Sequence, residues 1–185
     1  MSVRGRHPKS HEIDIAESRD VGKGLPVIVL INGNSASSSE ILAAGLQDSG
    51  RAIVIGSNSY GKGTVQTLNG LPNGAEFRVT WARFHAPSGY AIHNRGIIPN
   101  ICTATAAATS PESIIAHLKS GARQKPPLRS TENEVVALET IKATCPQSTE
   151  LHDLDIQIAE SLLSQPNLID LAKGMPNSTT SELIP

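Results

Sequence analysis

The stretch Pro26–Ile31 (PVIVLI) constrains the fold of this chain more than any other part of the sequence. It is apolar without alternation, which is typical of a strand buried on both faces of a parallel sheet. A helix pattern follows over Ser39–Ser49, with Gly50 placed to end it, and a second apolar strand follows over Ala52–Ile55. The order strand, helix, strand predicts a βαβ unit with a right-handed crossover.

A β-hairpin is predicted after this unit. Two strand patterns, Thr64–Leu68 and Glu76–Phe84, flank the turn residues Pro72-Asn73-Gly74, and such a turn is a strong hairpin signal. The second strand is expected to bury one face through its alternating apolar residues, which are Phe77, Val79 and Trp81.

Composition and pattern divide the 185 residues into four segments. Residues 1–24 are polar and are expected to be mostly irregular, and residues 25–102 hold the βαβ unit and the hairpin. Residues 103–166 are expected to form a helical region, and residues 167–185 a loose tail. The helices are predicted near residues 111–120, 134–143 and 153–164. The predicted fold class is α/β, with a mainly parallel sheet, a β-hairpin and a helical C-terminal region.

Charge and motif content exclude several classes of function. The net charge is −1, from 16 basic and 17 acidic residues, so no strong field would draw the chain to nucleic acid. The first apolar run, Leu25–Ile31, is too short to span a bilayer, and no signal peptide is visible. No HExxH or paired-cysteine spacing predicts a metal site, and no cofactor is expected. Cys102 and Cys145 leave two alternatives open, one disulfide or two free thiols.

Polar loops follow both strands of the predicted βαβ unit, Asn32–Glu40 (NGNSASSSE) after the first and Ser59–Gln66 (SYGKGTVQ) after the second. The carboxyl ends of parallel strands are where open α/β sheets build their sites. One interpretation of these loops is structural. Ser37 with Glu40 fits the S-x-x-E capping box at a helix start, and Lys62 fits an exposed turn between two glycines.

A second interpretation is nucleotide binding, because Gly56 to Lys62 spells G-x-x-x-x-G-K. A P-loop needs Ser or Thr directly after the lysine and a helix beyond it. Here Gly63 follows the lysine, and the next residues, Thr64–Leu68, favour a strand. The match is therefore interpreted as accidental.

A third interpretation pairs the two loops in one catalytic site. A serine hydroxyl is a weak nucleophile that needs a base within hydrogen-bond reach, and no histidine follows a strand here in a comparable loop. A lysine can act as this base when it is neutral, which burial favours because it lowers a lysine's pKa. A serine at a strand-to-helix turn also has backbone N–H groups beside it that can stabilise an oxyanion.

Several motifs make the chain resemble the tail-specific, or C-terminal processing, serine peptidase family. They are NGNSASSSEI, GRAIVIG, YGKGTVQ, LPNG and GIIPNI, between about Leu25 and Ile101. In that family the nucleophilic serine lies 25 positions before the lysine of the Gly-Lys-Gly motif, so the resemblance implies Ser37 as nucleophile and Lys62 as base. It also implies a core like that of ClpP and the crotonases.

The same resemblance implies two further roles. Gln66, four positions after the lysine, would orient Lys62 or its hydrogen-bond network, the alternative being an ordinary glutamine on a solvated strand face. The Ser38 backbone N–H would be one oxyanion donor. The implied reaction cleaves protein or peptide substrates near their C-termini through an acyl-enzyme on Ser37, without a metal or other cofactor.

The sequence departs from the family in what precedes the nucleophile strand. Family members usually carry a PDZ domain and a first half of the protease core, including a Gly-Gly loop that supplies another oxyanion N–H, and neither is recognisable in residues 1–24. An alternative hypothesis is therefore a non-catalytic fragment of the same fold. It would be completed by a partner chain, by a second copy in a homo-oligomer, or by a missing N-terminal portion. Members of that family are often exported to the cell envelope or the plastid lumen, so the resemblance suggests such a compartment, although the chain shows no signal peptide.

Overall fold

The computed structural model describes residues 1–17, 19–106, 108, 110–120, 134–150 and 152–173. Its strands are β1 (Ser2–Gly5), β2 (Glu12–Ile13), β3 (Ile28–Ile31), β4 (Ile53–Gly56), β5 (Thr64–Gly70), β6 (Glu76–His85) and β7 (Ile101–Cys102). Its helices are α1 (Ser38–Asp48), α2 (Pro111–Lys119), α3 (Glu134–Thr144), α4 (Asp153–Leu163) and α5 (Pro166–Lys173). Within these ranges, no helix combines the length and apolar character that crossing a bilayer requires.

The predicted βαβ unit is confirmed. β3 and β4 pair in parallel, with Ile28 opposite Ile53, and α1 connects them. β7 pairs with the other side of β4, so β4 is the central strand and all four of its residues are buried. The expectation that β3 is buried on both faces is wrong, because β3 lies at the edge of this sheet and Leu30 is 44% exposed.

Helices cover both faces of this three-stranded sheet. On one face, Ile53 and Ile55 of β4 share a buried cluster with Ile101 of β7 and with side chains of α2, α4 and α5. On the other face, Val54 shares a cluster with Ala43 of α1. Alternate residues of β4 therefore enter two different cores, which is the reason for its continuous apolar sequence. Each fully buried isoleucine side chain contributes about 1.5–3 kcal/mol to stability.

The larger sheet is antiparallel, which corrects the expectation of a mainly parallel sheet. Its four strands lie in the order β2-β1-β6-β5. Most of the described residues in 1–24 are irregular, but this segment also contains two strands that the sequence did not predict, since β1 pairs with β6 along its whole length and β2 pairs with β1. This pairing buries Val3. Strands of two and four residues are too short to show a hydrophobic period, and β6 lies far downstream, so no local pattern indicated them.

The hairpin β5–β6 is confirmed, but the buried face expected for β6 is not. Phe77, Val79 and Trp81 are 45%, 42% and 38% exposed, and none of them belongs to either buried cluster. The buried residue of β6 is instead Ala82. The alternation placed the three apolar side chains on a common face, but it could not tell whether anything covers that face.

The C-terminal region is helical, with α2, α3 and α4 close to their predicted positions. The loose tail predicted over residues 167–185 is wrong in its first part, because α5 extends to Lys173 and its Leu168 is fully buried in the cluster shared with β4. The other tail residues, 174–185, lie outside the described residues. Helix α5 is only about two turns long, which is too short for a convincing helical period.

Cys102 and Cys145 form a disulfide bond, which decides between the two alternatives left open by the sequence. Their Cα atoms are 5.7 Å apart, and both residues are buried. The bond ties the end of β7 to the residue directly after α3. It therefore connects the central sheet to the helical C-terminal region.

Candidate active site

The two predicted loops lie side by side at one edge of the parallel sheet. The first leaves β3 and enters α1, and the second leaves β4 and leads to β5. Because β3 and β4 are parallel neighbours, their carboxyl ends meet at the same edge. The Tyr60 N–H donates to the Ser35 carbonyl at 2.9 Å, which joins the two loops directly.

The side chain of Glu40 holds the two loops together. It is only 1% exposed and accepts four hydrogen bonds. Its Oε2 accepts the Ser37 N–H from the first loop at 2.9 Å and the Lys62 N–H from the second loop at 2.8 Å. Its Oε1 accepts the Gly61 N–H at 2.6 Å and the Ser59 hydroxyl at 2.5 Å.

This arrangement determines the geometry of the loops. Three backbone N–H groups and one hydroxyl occupy the four lone-pair sites that the carboxylate form of Glu40 offers. Hydrogen bonds to an ionised group are roughly twice as strong as neutral ones. The backbone nitrogens of Ser37 and Lys62 approach the same oxygen atom, so the two predicted catalytic residues are neighbours in the fold.

Ser37 has a backbone conformation that helix capping does not require. Its φ is +59° and its ψ is −118°. A capping serine normally has extended backbone with negative φ, whereas a non-glycine residue at positive φ costs roughly 1–3 kcal/mol. Strained serines at strand-to-helix turns expose the nucleophilic hydroxyl in other hydrolases. The Ser37 side chain is exposed, and the capping interpretation accounts only for the bond from its N–H to Glu40.

Ser38 is the first residue of α1 and is exposed. No acceptor among the described residues takes its N–H. Free N–H groups in the first turn of a helix, together with the helix dipole, favour a negative charge placed beside them. The predicted oxyanion donor is thus an unpaired N–H directly after Ser37.

The side chain of Lys62 is exposed and makes no hydrogen bond or ion pair with the part of the chain that the structure describes. Its backbone is fixed by Glu40, but its amine is not enclosed. A lysine that acts as a base must be shielded from water, because desolvation disfavours the charged form. The described residues do not shield the Lys62 amine in this way.

Gln66 lies on β5, where its side-chain amide donates to the Thr80 hydroxyl of β6 at 2.8 Å. It is exposed, and it forms no hydrogen bond with Lys62. A register irregularity falls between Val65 and Gln66, directly after the loop that carries Lys62. The predicted role in orienting Lys62 stays a prediction, and the structure gives Gln66 a different partner.

The nucleotide-binding interpretation lacks its structural context. The chain after Lys62 enters strand β5 rather than a helix, so there is no helix N-terminus to receive a phosphate. Gly63 occupies the position where a P-loop needs a hydroxyl for Mg²⁺. Among the residues that the structure describes, no group of three or more His, Cys, Asp or Glu side chains could hold a metal ion.

Two contributors to this site were missed by sequence reasoning. Glu40 was recognised only as a capping residue, and the S-x-x-E pattern gave no indication of its bonds to the second loop. Residues 145–150 also contact both loops, through hydrogen bonds to Gly33, Ser57 and Ser59. No motif in those residues pointed to the site, because their contacts are made largely by backbone atoms.

The family profile described as Peptidase family S41 matches residues 1–103, more than half of the chain and all of both loops. The chain belongs to this family. The predicted resemblance to C-terminal processing peptidases is therefore confirmed. Residues 104–185, including α2 to α5, lie outside the matched region.

Individual relatives match up to about half of the chain. A carboxy-terminal-processing protease of Bartonella bacilliformis is 46% identical over 101 residues, which are 55% of this chain and 23% of that protein. Carboxyl-terminal-processing peptidase 3, chloroplastic, of Arabidopsis thaliana is 46% identical over 79 residues, which are 42% of this chain and 15% of that protein. The chain thus spans less than a quarter of the length of these relatives.

A solved structure, that of a photosystem II D1 C-terminal processing protease, is 39% identical in sequence. The superposition covers 43% of this chain and 20% of that protein, with a TM-score of 0.41.

Proposed function

We propose that this chain carries the Ser–Lys dyad of a serine endopeptidase that cleaves proteins near their C-termini. The observation that carries the proposal is the convergence of the Ser37 and Lys62 backbones on one oxygen of Glu40, with Ser37 in a strained conformation. Family membership supports the reaction class, and the relatives named as carboxy-terminal processing proteases support the type of substrate.

In the proposed mechanism, the Ser37 hydroxyl attacks the scissile carbonyl carbon and transfers its proton to the neutral amine of Lys62. The Ser38 N–H donates a hydrogen bond to the oxyanion that forms. The Lys62 ammonium then gives its proton to the leaving amine, and an acyl-enzyme on Ser37 remains. Water, deprotonated by Lys62, hydrolyses this ester and releases the new C-terminus.

Two parts of a working site are not supplied by the described residues. The amine of Lys62 needs shielding from water. The oxyanion hole also needs a second donor besides the Ser38 N–H, because losing one oxyanion donor lowers the rate by on the order of 10²–10³. We propose in addition that the catalytic core is like that of ClpP and the crotonases, and that the complete core supplies both the shielding and the second donor. Gln66 would then orient Lys62 after closure around a substrate.

The direct test is labelling with a fluorophosphonate, which reacts with an activated serine hydroxyl. We expect labelling of the wild-type chain and loss of labelling in Ser37→Ala and in Lys62→Met. Ser39→Ala is the matched control for the serine, because Ser39 is exposed in the same loop and its hydroxyl only donates to the Ala36 carbonyl. Lys119→Met, in α2, is the control for an exposed lysine.

Mass spectrometry of the labelled peptide assigns the site. Cleavage of an unfolded protein, followed by sequencing of the products, tests the preference for C-termini. The proposal would be wrong if Ser37→Ala labelled like the wild type, or if neither labelling nor cleavage occurred with a chain shown to be folded.

A second candidate function is that of an inactive part that becomes a peptidase only when further protein completes it. The exposed amine of Lys62 and the exposed apolar side chains Leu30, Phe77 and Trp81 favour it. Light scattering separates the cases. A folded monomer that labels at Ser37 excludes this candidate, and a folded monomer that gains labelling only after a catalytic-core partner is added supports it.

A further inference from the structure

Residues 145–150 form a segment that crosses both catalytic loops, and we call it the strap. The Ser148 carbonyl accepts the Gly33 N–H of the first loop at 2.6 Å and, at 2.9 Å, the hydroxyl of Ser57, which directly follows β4 and leads into the second loop. The Ser148 N–H lies 3.2 Å from the same Ser57 oxygen, so Ser57 and the strap backbone are bonded in both directions. Ser57 is 3% exposed, which protects these bonds from water.

The side chain of Gln147 bridges the two loops. Its amide lies 3.0 Å from the Ser59 carbonyl and 3.4 Å from the Gly33 carbonyl. Ser59 in turn donates its hydroxyl to Glu40, which holds the backbones of both predicted catalytic residues. A continuous set of hydrogen bonds therefore runs from the strap through Ser59 to Glu40.

Gly33 shows how closely the strap approaches. A Cβ atom at this position would lie 2.7 Å from a side-chain carbon of Gln147 and 2.9 Å from the Ser148 carbonyl oxygen. Contacts of this length with a backbone atom do not occur without displacement. Glycine is thus required at position 33 because the strap lies too close for a side chain. The backbone of Gly33 does not itself require glycine, because its φ is not positive.

The strap begins at a covalent anchor. Cys145 is its first residue and is bonded to Cys102, the last residue of β7, which pairs with β4 at Gly56. The second catalytic loop leaves the sheet from that same residue of β4. The disulfide therefore fixes one end of the strap beside the point where the Lys62 loop begins.

We propose that the strap positions the two catalytic loops, that Gln147 and Ser57 are positioning residues for the peptidase reaction, and that the Cys102–Cys145 disulfide determines whether the strap is in place. This proposal rests on the proposed function. The strap itself, with Cys145, Gln147 and Ser148, lies beyond the region that matches the peptidase family, whereas its contacts Ser57 and Cys102 lie within that region. Disulfides persist in oxidising compartments, where the strap would be held, and are reduced in the cytosol.

Release of the strap is a two-electron reduction. A dithiol such as dithiothreitol attacks one sulfur, the S–S bond breaks, and two thiols form on Cys102 and Cys145. The reductant supplies both electrons and both protons and ends as a cyclic disulfide. The strap then loses its covalent end, and its hydrogen bonds open more often because nothing else holds that end in place.

The kinetic test uses the rate of fluorophosphonate labelling at Ser37, measured over a range of probe concentrations. We expect Ser57→Ala and Gln147→Ala to lower the maximal labelling rate roughly 10- to 100-fold, because small misplacements of a nucleophile have effects of this size, while the probe concentration at half-maximal rate stays unchanged. Gln157→Ala is the matched control, since Gln157 is an exposed glutamine on α4 whose side chain makes no hydrogen bond with the described residues.

Wild-type protein treated with dithiothreitol should show the same loss, and reoxidation should restore the rate. Gln147 is exposed, so Gln147→Ala should fold even if Ser57→Ala does not. Labelling of Gln147→Ala and of the reduced protein at the oxidised wild-type rate would overturn the proposal.

A structural test separates this proposal from the proposed function. Hydrogen exchange of the Gly33, Gly61 and Lys62 amides, all hydrogen-bonded in the oxidised chain, should be at least tenfold faster after reduction or in Gln147→Ala. If the wild type never labels but these amides lose protection, the peptidase function fails and the strap is upheld. If the amides keep their protection, the strap proposal fails whatever the labelling shows.

Discussion

Replacement of Glu40 by glutamine tests whether its carboxylate organises the candidate site. Glutamine has nearly the same shape, but an NH₂ group replaces one of the two oxygens. If the amide takes the place of Oε2, it faces the donated N–H groups of Ser37 and Lys62, and both bonds are lost. If the NH₂ group takes the place of Oε1, the Ser59 hydroxyl can rotate and accept a hydrogen bond from it. The Gly61 N–H then points at this NH₂ group and has no acceptor.

The expected cost follows from these bonds. A hydrogen bond to a charged group contributes about 1.5–3 kcal/mol, and the less costly orientation loses one such bond outright, so Glu40→Gln should lower the free energy of unfolding by about 1.5–3 kcal/mol. A domain has about 5–15 kcal/mol in total, so the variant should still fold but with a clear loss of stability. Urea unfolding followed by far-UV circular dichroism measures the difference.

The matched control is Glu160→Gln, which changes an exposed glutamate on α4 that makes no side-chain hydrogen bond with the described residues. It should stay within about 0.5 kcal/mol of the wild type. Glu40→Gln should also abolish fluorophosphonate labelling under conditions where it remains folded. A variant whose free energy of unfolding lies within about 1 kcal/mol of the wild-type value would refute the argument that the Glu40 side chain holds both loops through four hydrogen bonds.

Three further predictions concern the backbone of Ser37, the side chain of Gln66 and the Cys102–Cys145 disulfide. Ser37→Gly should be more stable than Ser37→Ala by about 1 kcal/mol in urea, because glycine relieves the positive φ, and equal stability would show that this conformation carries no strain. Gln66→Ala should slow labelling about tenfold while Thr80→Val, which removes the same hydrogen bond, should not, and equal effects would limit Gln66 to its Thr80 contact. Changing both Cys102 and Cys145 to serine should lower the free energy of unfolding by about 4 kcal/mol, since the bond closes a loop with a sequence separation of 43. An unchanged melting temperature would contradict this.

The sequence predicted those parts of the fold that repeat a pattern over many residues. The βαβ unit and the hairpin could be predicted because apolar runs, turn residues and a helical period coincide in them. Burial could not be predicted equally well, since it depends on neighbours. Leu30 and Trp81 sit in convincing strand patterns, yet both are exposed because β3 lies at an edge and no described element covers that face of β6.

The candidate site shows the same division. Spacing and motif selected Ser37 and Lys62 and placed them on neighbouring loops, as the parallel pairing of β3 and β4 requires. The positive φ of Ser37 could not be foreseen, because serine gives no sign of a left-handed backbone. The additional bonds of Glu40 join residues that are about 20 positions apart in the sequence, and those of Ser148 are made by its backbone, so neither leaves a local signal.

The division of the core between β4 and the C-terminal helices has a consequence for synthesis on the ribosome. Ile53 and Ile55 are buried by side chains of α2, α4 and α5, all of which are translated after the region that matches the peptidase family. At about 5–20 residues per second, residues 104–173 take on the order of ten seconds to appear. During that interval one face of the sheet beneath the candidate site has no cover, so nascent chains should be captured by chaperones at this stage and released once α5 has left the exit tunnel.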